Sequence, residues 1–447
     1  MGALDFGSGF RWGVATAAYQ VEGATTEGGR GPSVWDTFCA EPGRIKDGDT
    51  GEVACDHYHR YAEDVALMRD LGVDTYRFSF AWPRIQPTGA GPANPEGLAF
   101  YDRLVDSLLE AGIAPCPTLF HWDTPQALQD RGGWLDRDIA ARFADYAAVL
   151  GAHFADRIDM WATVNEPMVV TLYGHALGMH APGLALMYDA LPVAHHLLLA
   201  HGNAVRALRS AGAEQVGIVN NHAPTWPASD DPGDLAAATA YDDLVNWTFA
   251  DPVLLGRYPE SIAALMPEPV GDDLEVISTP LDWYGLNHYF PASIAAAAEG
   301  AELPFDLRLL DGYPLTDFGW PVVPDAFREI VATLRSRYGD ALPPVYVTEN
   351  GCSYADGPDD EGRVPDQRRV EFLDGYLRAL KQAIDDGADV RGYFLWSLLD
   401  NFEWSEGYSH RFGVVHVDFA TQRRTPKDSF RWFRELVAAN RAAGADG

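Results

Sequence analysis

PPVYVTENG, residues 343–351, is a run of β-formers that ends in a carboxylate, Glu349, after which Asn350 and Gly351 turn the chain away. In a chain that alternates strands with helices, a rigid strand delivers such a side chain to the mouth of a barrel. The same pattern recurs on both sides of it. Short β-rich runs at Phe10–Ala15, Asp74–Phe80, Ala114–Phe120, Ile158–Val164, Gln215–Asn220, Leu281–Leu286 and Val390–Leu395 each lead into polar or aromatic residues. Between them lie segments of helical period. In the first, from about Tyr58, the positions Tyr61, Val65, Met68 and Leu71 line one face and Gly72 marks the stop. Helices are expected also around Leu98–Leu108, Ile139–Phe154, Ala190–Ala211 and Lys427–Ala443.

Eight such pairs predict an α/β chain forming a single (β/α)8 TIM barrel, one catalytic domain over residues 1–447. Parallel strands joined by helices bury both sheet faces, and closure removes the edges. The longer inserts, Thr26–Val53, Pro167–Met187, Ala223–Asp234 and Ala295–Pro324, follow strands. They therefore fall at the C-terminal face, where such barrels place function.

Composition bounds the partners. Apolar residues make up 47% and aromatics 12%, ample for a packed core. The net charge of −32, from 33 Lys and Arg against 65 Asp and Glu, disfavours nucleic acid and anionic membranes. No stretch is apolar for about 18 residues, so no membrane span is expected. The N-terminus MGALDFGSGFRWG lacks a basic segment followed by an apolar run, and a cytoplasmic protein is the default. Cys39, Cys55, Cys116 and Cys352 are spread singly, which suits reduced thiols, although Cys39 and Cys55 could pair in a secreted protein. A homo-oligomer is left open.

Polar residues that interrupt otherwise apolar strands fall toward their C-terminal ends: Arg77, His121, Asn165 with Glu166, Asn287 with Tyr289, and Glu349. The eighth strand ends on an aromatic, Trp396. A lone His or Arg is more often a satisfied core or ion-pair residue, but six on one rim point to a site. Glu166 and Glu349 end strands four and seven, nearly opposite in a barrel of eight, so their carboxylates can face each other over the mouth. Cleaving a glycosidic bond needs this pair, one acid to protonate the leaving oxygen and one carboxylate at the anomeric centre. Other barrel chemistries are poorly served. None of Lys46, Lys381 and Lys427 ends a strand to form a Schiff base, and no HExxH motif is present. His57 with His59 and His195 with His196 have too few carboxylate neighbours for a metal site, so none is expected.

The motifs FRWGVATAAYQVEG (10–23), RFSFAWPR (77–84), TLFHWDTP (118–125), TVNEP, GLNHY (285–289), VTENG and WSLLDNFEWSEGYSHRFG (396–413), in this order, resemble the β-glucosidases of glycoside hydrolase family 1 over essentially the whole length. The resemblance implies the same barrel, hydrolysis of β-linked sugars with retention, and no metal or cofactor. Glu166 would be the general acid/base and Glu349 the nucleophile. Arg77 is expected beside Glu349, its charge favouring the carboxylate, with Tyr289 donating a hydrogen bond to the same group. Gln20, His121, Asn165, Glu403 and Trp404 would read the sugar hydroxyls, Trp396 would stack beneath the ring, and Trp320 would flank the leaving group. Trp122, Asn220, His222 and Asn287 are expected to line the pocket. Glu403 argues against 6-phosphorylated substrates, and the intact Glu166 against thioglucosides.

The expected activity is that of an exo-acting β-glucosidase on terminal β-D-glucosides, including oligosaccharides such as cellobiose and extending to β-fucosides or β-galactosides. Two alternatives stand beside it. One is a transglycosylase of the same family, and the other a non-catalytic sugar-binding barrel. His288 in GLNHY departs from many relatives at no catalytic position.

Overall fold

The computed structural model describes residues 4–268 and 271–445. Eight parallel strands close on themselves: β1 (Arg11–Ala15), β2 (Thr75–Ser79), β3 (Ala114–Phe120), β4 (Met160–Asn165), β5 (Gln215–Asn221), β6 (Trp283–Asn287), β7 (Val345–Asn350) and β8 (Val390–Trp396). Each pairs with its chain neighbours, and β8 returns to β1 through Arg11↔Gly392 to Ala15↔Trp396. The expected strands are all present, with ends displaced by one or two residues: the sixth begins at Trp283, not Leu281. Outside them lie α1 (His57–Leu71), α2 (Pro95–Glu110), α3 (Ile139–Phe154), α4 (Leu191–Ser210), α5 (Thr248–Leu255), α6 (Pro324–Tyr338), α7 (Gln367–Asp385) and α8 (Asp428–Ala445).

Local sequence accounts for the helix limits. Asn94 caps α2 by accepting from the Glu96 amide, with Pro95 in the first turn. Gly72 ends α1 in the left-handed conformation at φ 80°, its amide bonded to Met68 and Arg69. The apolar stripe of α2, Phe100, Tyr101, Leu104, Val105 and Leu108, is fully buried against the strands.

Strand residues have two buried destinations. One face joins the helix layer in the main core. The other forms a separate cluster inside the barrel, with Ala15, Ala162, Met160, Trp283, Tyr346, Phe394 and Trp396. Small residues there make room for large ones. A Cβ on Gly13 would lie 2.4 Å from the Phe394 ring and one on Gly217 2.5 Å from Trp283, so these glycines are required by close approach. This aromatic plug floors the barrel beneath the catalytic end.

The inserts carry structure that the sequence pattern did not reveal. Val34–Ala40 is a helix with a Ser33–Asp36 capping box. Thr225–Pro227, Ala292–Ala296 and Phe305–Arg308 form a three-stranded sheet at the mouth. Val170–Ala176 and Asp243–Trp247 are wide π-helical turns. All four cysteines are free, and Cys39 and Cys55 instead lie against the Tyr19 hydroxyl (3.4 Å) and the Asp400 carbonyl (3.1 Å). Among the described residues no helix is long and apolar enough to cross a membrane.

Candidate active site

Glu349 ends β7 and Glu166 follows β4, and both strands lose regular register on approaching their carboxylates. Pairing of β7 with β6 shifts between Val347 and Glu349, and pairing of β4 with β5 shifts between Ala162 and Asn165. Such irregularities re-aim a side chain. Glu166 itself adopts φ 44°, ψ 64°, and Trp122 (φ 79°) and Trp404 (φ 50°) share the left-handed region. Each costs on the order of 1–3 kcal/mol, which the surrounding packing sustains. Gly351 serves close approach instead of a turn. Its φ is ordinary, but a Cβ would lie 1.8 Å from the Trp396 carbonyl oxygen.

The two carboxylates are joined through one hydrogen-bonded network. Arg77, fully buried, donates from Nη1 to Glu349 Oε1 (2.6 Å) and from Nη2 to Asn165 Oδ1 (2.6 Å). Tyr289 donates its hydroxyl to Glu349 Oε2 at 2.7 Å. Asn287 Nδ2 donates to Asn165 Oδ1 (3.2 Å) and to Glu166 Oε1 (2.6 Å), while Thr348 Oγ1 donates to Asn287 Oδ1 (2.7 Å) and fixes the amide orientation. Asn287 is thus a carboxylate partner as well as a pocket residue. Its bond to Glu166 and the part played by Thr348 were not visible in the sequence, although Asn287 was read as a strand-end pocket residue and Thr348 precedes Glu349.

Electrostatics separate the acids. Burial first, and then the neighbouring Glu349 carboxylate, push Glu166 up to about 8, against the opposing Asn287 hydrogen bond and Arg77. Burial, then Glu349 and Glu166, likewise push Glu403 up to about 8. Arg77 contacts Glu349 directly and reaches Glu166 only through Asn165 and Asn287. The arrangement therefore favours protonated Glu166 and Glu403 beside the Arg77-paired Glu349.

Around them stand groups with free hydrogen-bonding capacity. Gln20 Nε2 is held by Asn401 Oδ1 (3.0 Å) and the Phe402 carbonyl (2.9 Å), leaving its buried Oε1 without a partner among the described residues. His121 Nε2 accepts from Asn165 Nδ2 (3.1 Å), so Nδ1 carries the proton and has no partner among the described residues. Burial, then Arg77, hold His121 well below its ordinary range, so it is neutral. Trp122 Nε1 donates to the Asn165 carbonyl (2.9 Å), its ring 4.5 Å from that of Trp404, and Trp396 stacks on His121 at 6.0 Å. Trp320 is half-buried on the Tyr289 side, against Tyr289 (5.2 Å) and Phe318 (4.3 Å).

Two expected pocket residues lie elsewhere. Asn220 and His222 both bond the Tyr284 hydroxyl, at 2.8 and 2.7 Å, within the strand–helix layer. Alternation explains it: Asn221, between them, takes the other face, and its buried Oδ1 has no partner among the described residues. His288 also lies in the outer layer, stacked on Phe327 at 5.1 Å. Among the described residues no group of three or more His, Cys, Asp or Glu is arranged to hold a metal. His57 pairs with Asp64 (2.7 Å) and His195 with Asp273 (3.0 Å).

Known proteins of similar sequence and fold are named β-glucosidases. Beta-glucosidase A of Acetivibrio thermocellus is 44% identical, the match spanning 98% of this chain and 100% of that protein. A bifunctional beta-D-glucosidase/beta-D-fucosidase of Bifidobacterium breve is 42% identical over 98% of this chain and 99% of its own. The crystal structure of the psychrophilic beta-glucosidase BglU from Micrococcus antarcticus superposes with a TM-score of 0.95 at 45% identity, covering 99% of this chain and 100% of that one. The Thermotoga maritima beta-glucosidase in complex with deoxynojirimycin gives 0.94 at 44% identity, covering 98% and 99%. The family model for glycosyl hydrolase family 1 matches residues 3–442, and the chain belongs to that family.

Proposed function

We propose that this chain is a retaining, exo-acting β-glucosidase in which Glu349 is the nucleophile and Glu166 the general acid/base. The observation that carries the assignment is the asymmetric network: Arg77 and Tyr289 each donate to one oxygen of Glu349, while among the described residues Glu166 accepts from the Asn287 amide alone. Glu349 attacks the anomeric carbon as Glu166 gives its proton to the leaving oxygen, and a glycosyl ester forms. Esterification removes the negative charge of Glu349 that had raised Glu166, so the ionised Glu166 then takes a proton from water. Water attacks the same carbon and releases Glu349 and a β-configured sugar. The free Gln20 Oε1 and His121 Nδ1, with Glu403 and Trp404, read the sugar hydroxyls, and Trp396 forms the stacking face. Trp320 flanks the leaving group.

Terminal β-D-glucosides, cellobiose among them, are the substrates, with β-fucosides accepted as the name of the Bifidobacterium breve relative suggests. Transfer to a second sugar in place of water is the side reaction of the same ester. Incubation with a 2-deoxy-2-fluoro β-glucoside and mass spectrometry of the digested protein tests the assignment. The expected result is one sugar on the peptide containing Glu349, and inactivation with that peptide unlabelled would overturn it.

A further inference from the structure

Behind the segment that follows β8 lies a buried ion cluster that the reaction does not use. Asp400 Oδ1 accepts from Lys427 Nζ (2.9 Å) and from the Gly413 amide (3.0 Å), and Oδ2 accepts from Arg411 Nη1 (2.8 Å). Asp400 and Lys427 are both 0% exposed. A hairpin of Val415–Asp418 and Arg423–Pro426 brings Lys427 to this point. Val415 pairs with Pro426, and its carbonyl accepts from the Asp400 amide at 2.9 Å. Lys427 donates its own amide to the Val414 carbonyl, also at 2.9 Å. Against burial, Lys427 and then Arg411 hold the Asp400 carboxyl below its ordinary range, so the contact is between ions.

Such a pair contributes little net stability, because desolvating two charges offsets much of their attraction. Its consequence lies in what it fixes. Asp400 is one peptide bond from Asn401, whose Nδ2 donates to Ser397 Oγ (3.0 Å) and the Leu399 carbonyl (3.0 Å). The amide is thereby oriented so that Oδ1 accepts from Gln20 Nε2 at 3.0 Å. The Phe402 carbonyl accepts from the same nitrogen (2.9 Å), and the Phe402 amide donates to the Gln20 carbonyl (3.1 Å). These contacts turn Gln20 Oε1 toward the sugar, and Glu403 and Trp404 follow directly in the chain. A displaced Asp400 therefore carries Asn401, Gln20 and the Glu403 corner with it. Glu166 and Glu349 stand at the ends of β4 and β7, on separate elements.

We infer that Lys427 is a positioning residue for sugar recognition: through Asp400 it holds the turn from Asn401 to Trp404, and with it Gln20, in register with the sugar hydroxyls. The inference rests on the β-glucosidase reading above. Lys427 acts at one remove, so its loss should weaken the reading of hydroxyls and leave bond cleavage itself intact.

The test takes wild type, K427M and D400N/K427M and measures kcat/KM on 4-nitrophenyl β-D-glucoside and its 2-, 3-, 4- and 6-deoxy analogues. Calorimetric binding of the matching methyl glycosides and thermal denaturation accompany it. In the wild type at least one deoxy analogue should fall on the order of ten- to a hundredfold below the parent, because a buried reader is left unpaired. K427M should shrink that penalty to about threefold or less, a coupling between side chain and hydroxyl that a merely destabilised protein does not show. K427M leaves Asp400 short of a partner and should melt lower. The double variant removes both charges and should regain Tm without regaining the deoxy penalty, and it carries the same comparison where K427M fails to fold. A wild type without a deoxy penalty, a penalty unchanged in K427M, or one restored together with Tm in the double variant would overturn the inference. Absence of turnover of every β-glucoside by the wild type would reject the catalytic reading. Binding then decides: a preference for the parent glycoside that weakens in K427M sustains the positioning role, and an unchanged one overturns it.

Discussion

Asn287 touches both halves of the site, donating to Asn165 and to Glu166 with its own carbonyl held by Thr348. Its bond to Glu166 favours the ionised form, so it opposes the burial that raises this acid. In the wild type the alkaline limb of kcat/KM, where Glu166 loses its proton, is expected near pH 8. Asn287→Ala removes the donor and should move that limb to higher pH while lowering kcat. A full pH profile checks it, and an unmoved limb would mean that Asn287 does not tune Glu166. The candidates Glu166 and Glu349 were legible because each is a carboxylate at the end of an apolar strand, and Arg77 because it is a charge within one. Asn287 and Thr348 were less so, because their roles depend on which atom of a neutral amide faces which neighbour.

Elements place these side chains by how they end. The register of β4 and β7 breaks at the approach to the carboxylates, and the Glu349–Asn350–Gly351 corner passes within contact of the Trp396 carbonyl at the end of β8. Gly351→Ala must push apart two strand ends that carry Glu349 and Trp396. Overpacking of this kind costs about 1–3 kcal/mol. Calorimetry should show a lower Tm and kinetics a lower kcat, and wild-type values for both would remove Gly351 from the account of the site. Strand existence was readable from the runs of β-formers, but strand phase was not. The sequence reading put Asn220 and His222 in the pocket, whereas alternation gives that face to Asn221.

Across the molecule, 65 acidic residues face 33 basic ones, and the excess has to be tolerated at the surface and at the mouth alike. Exposed pairs such as Arg44–Glu41 and Arg363–Asp359 contribute little each, while the unbalanced carboxylates repel over a Debye length of about 10 Å at 0.1 M salt. Screening should therefore relieve more repulsion than it removes attraction. Tm is expected to rise from low salt to about 0.5 M NaCl, and a flat or falling Tm would mean that the acid excess is locally balanced. The closed barrel, the rim of polar strand ends and the candidate carboxylates were determined by the sequence alone, because alternation of β-formers and amphipathic segments leaves few ways to bury both sheet faces. The tertiary structure decided what depends on atoms distant in the chain. Arg77 meets Glu349 across 272 positions and Asn287 meets Glu166 across 121, contacts that no local spacing encodes.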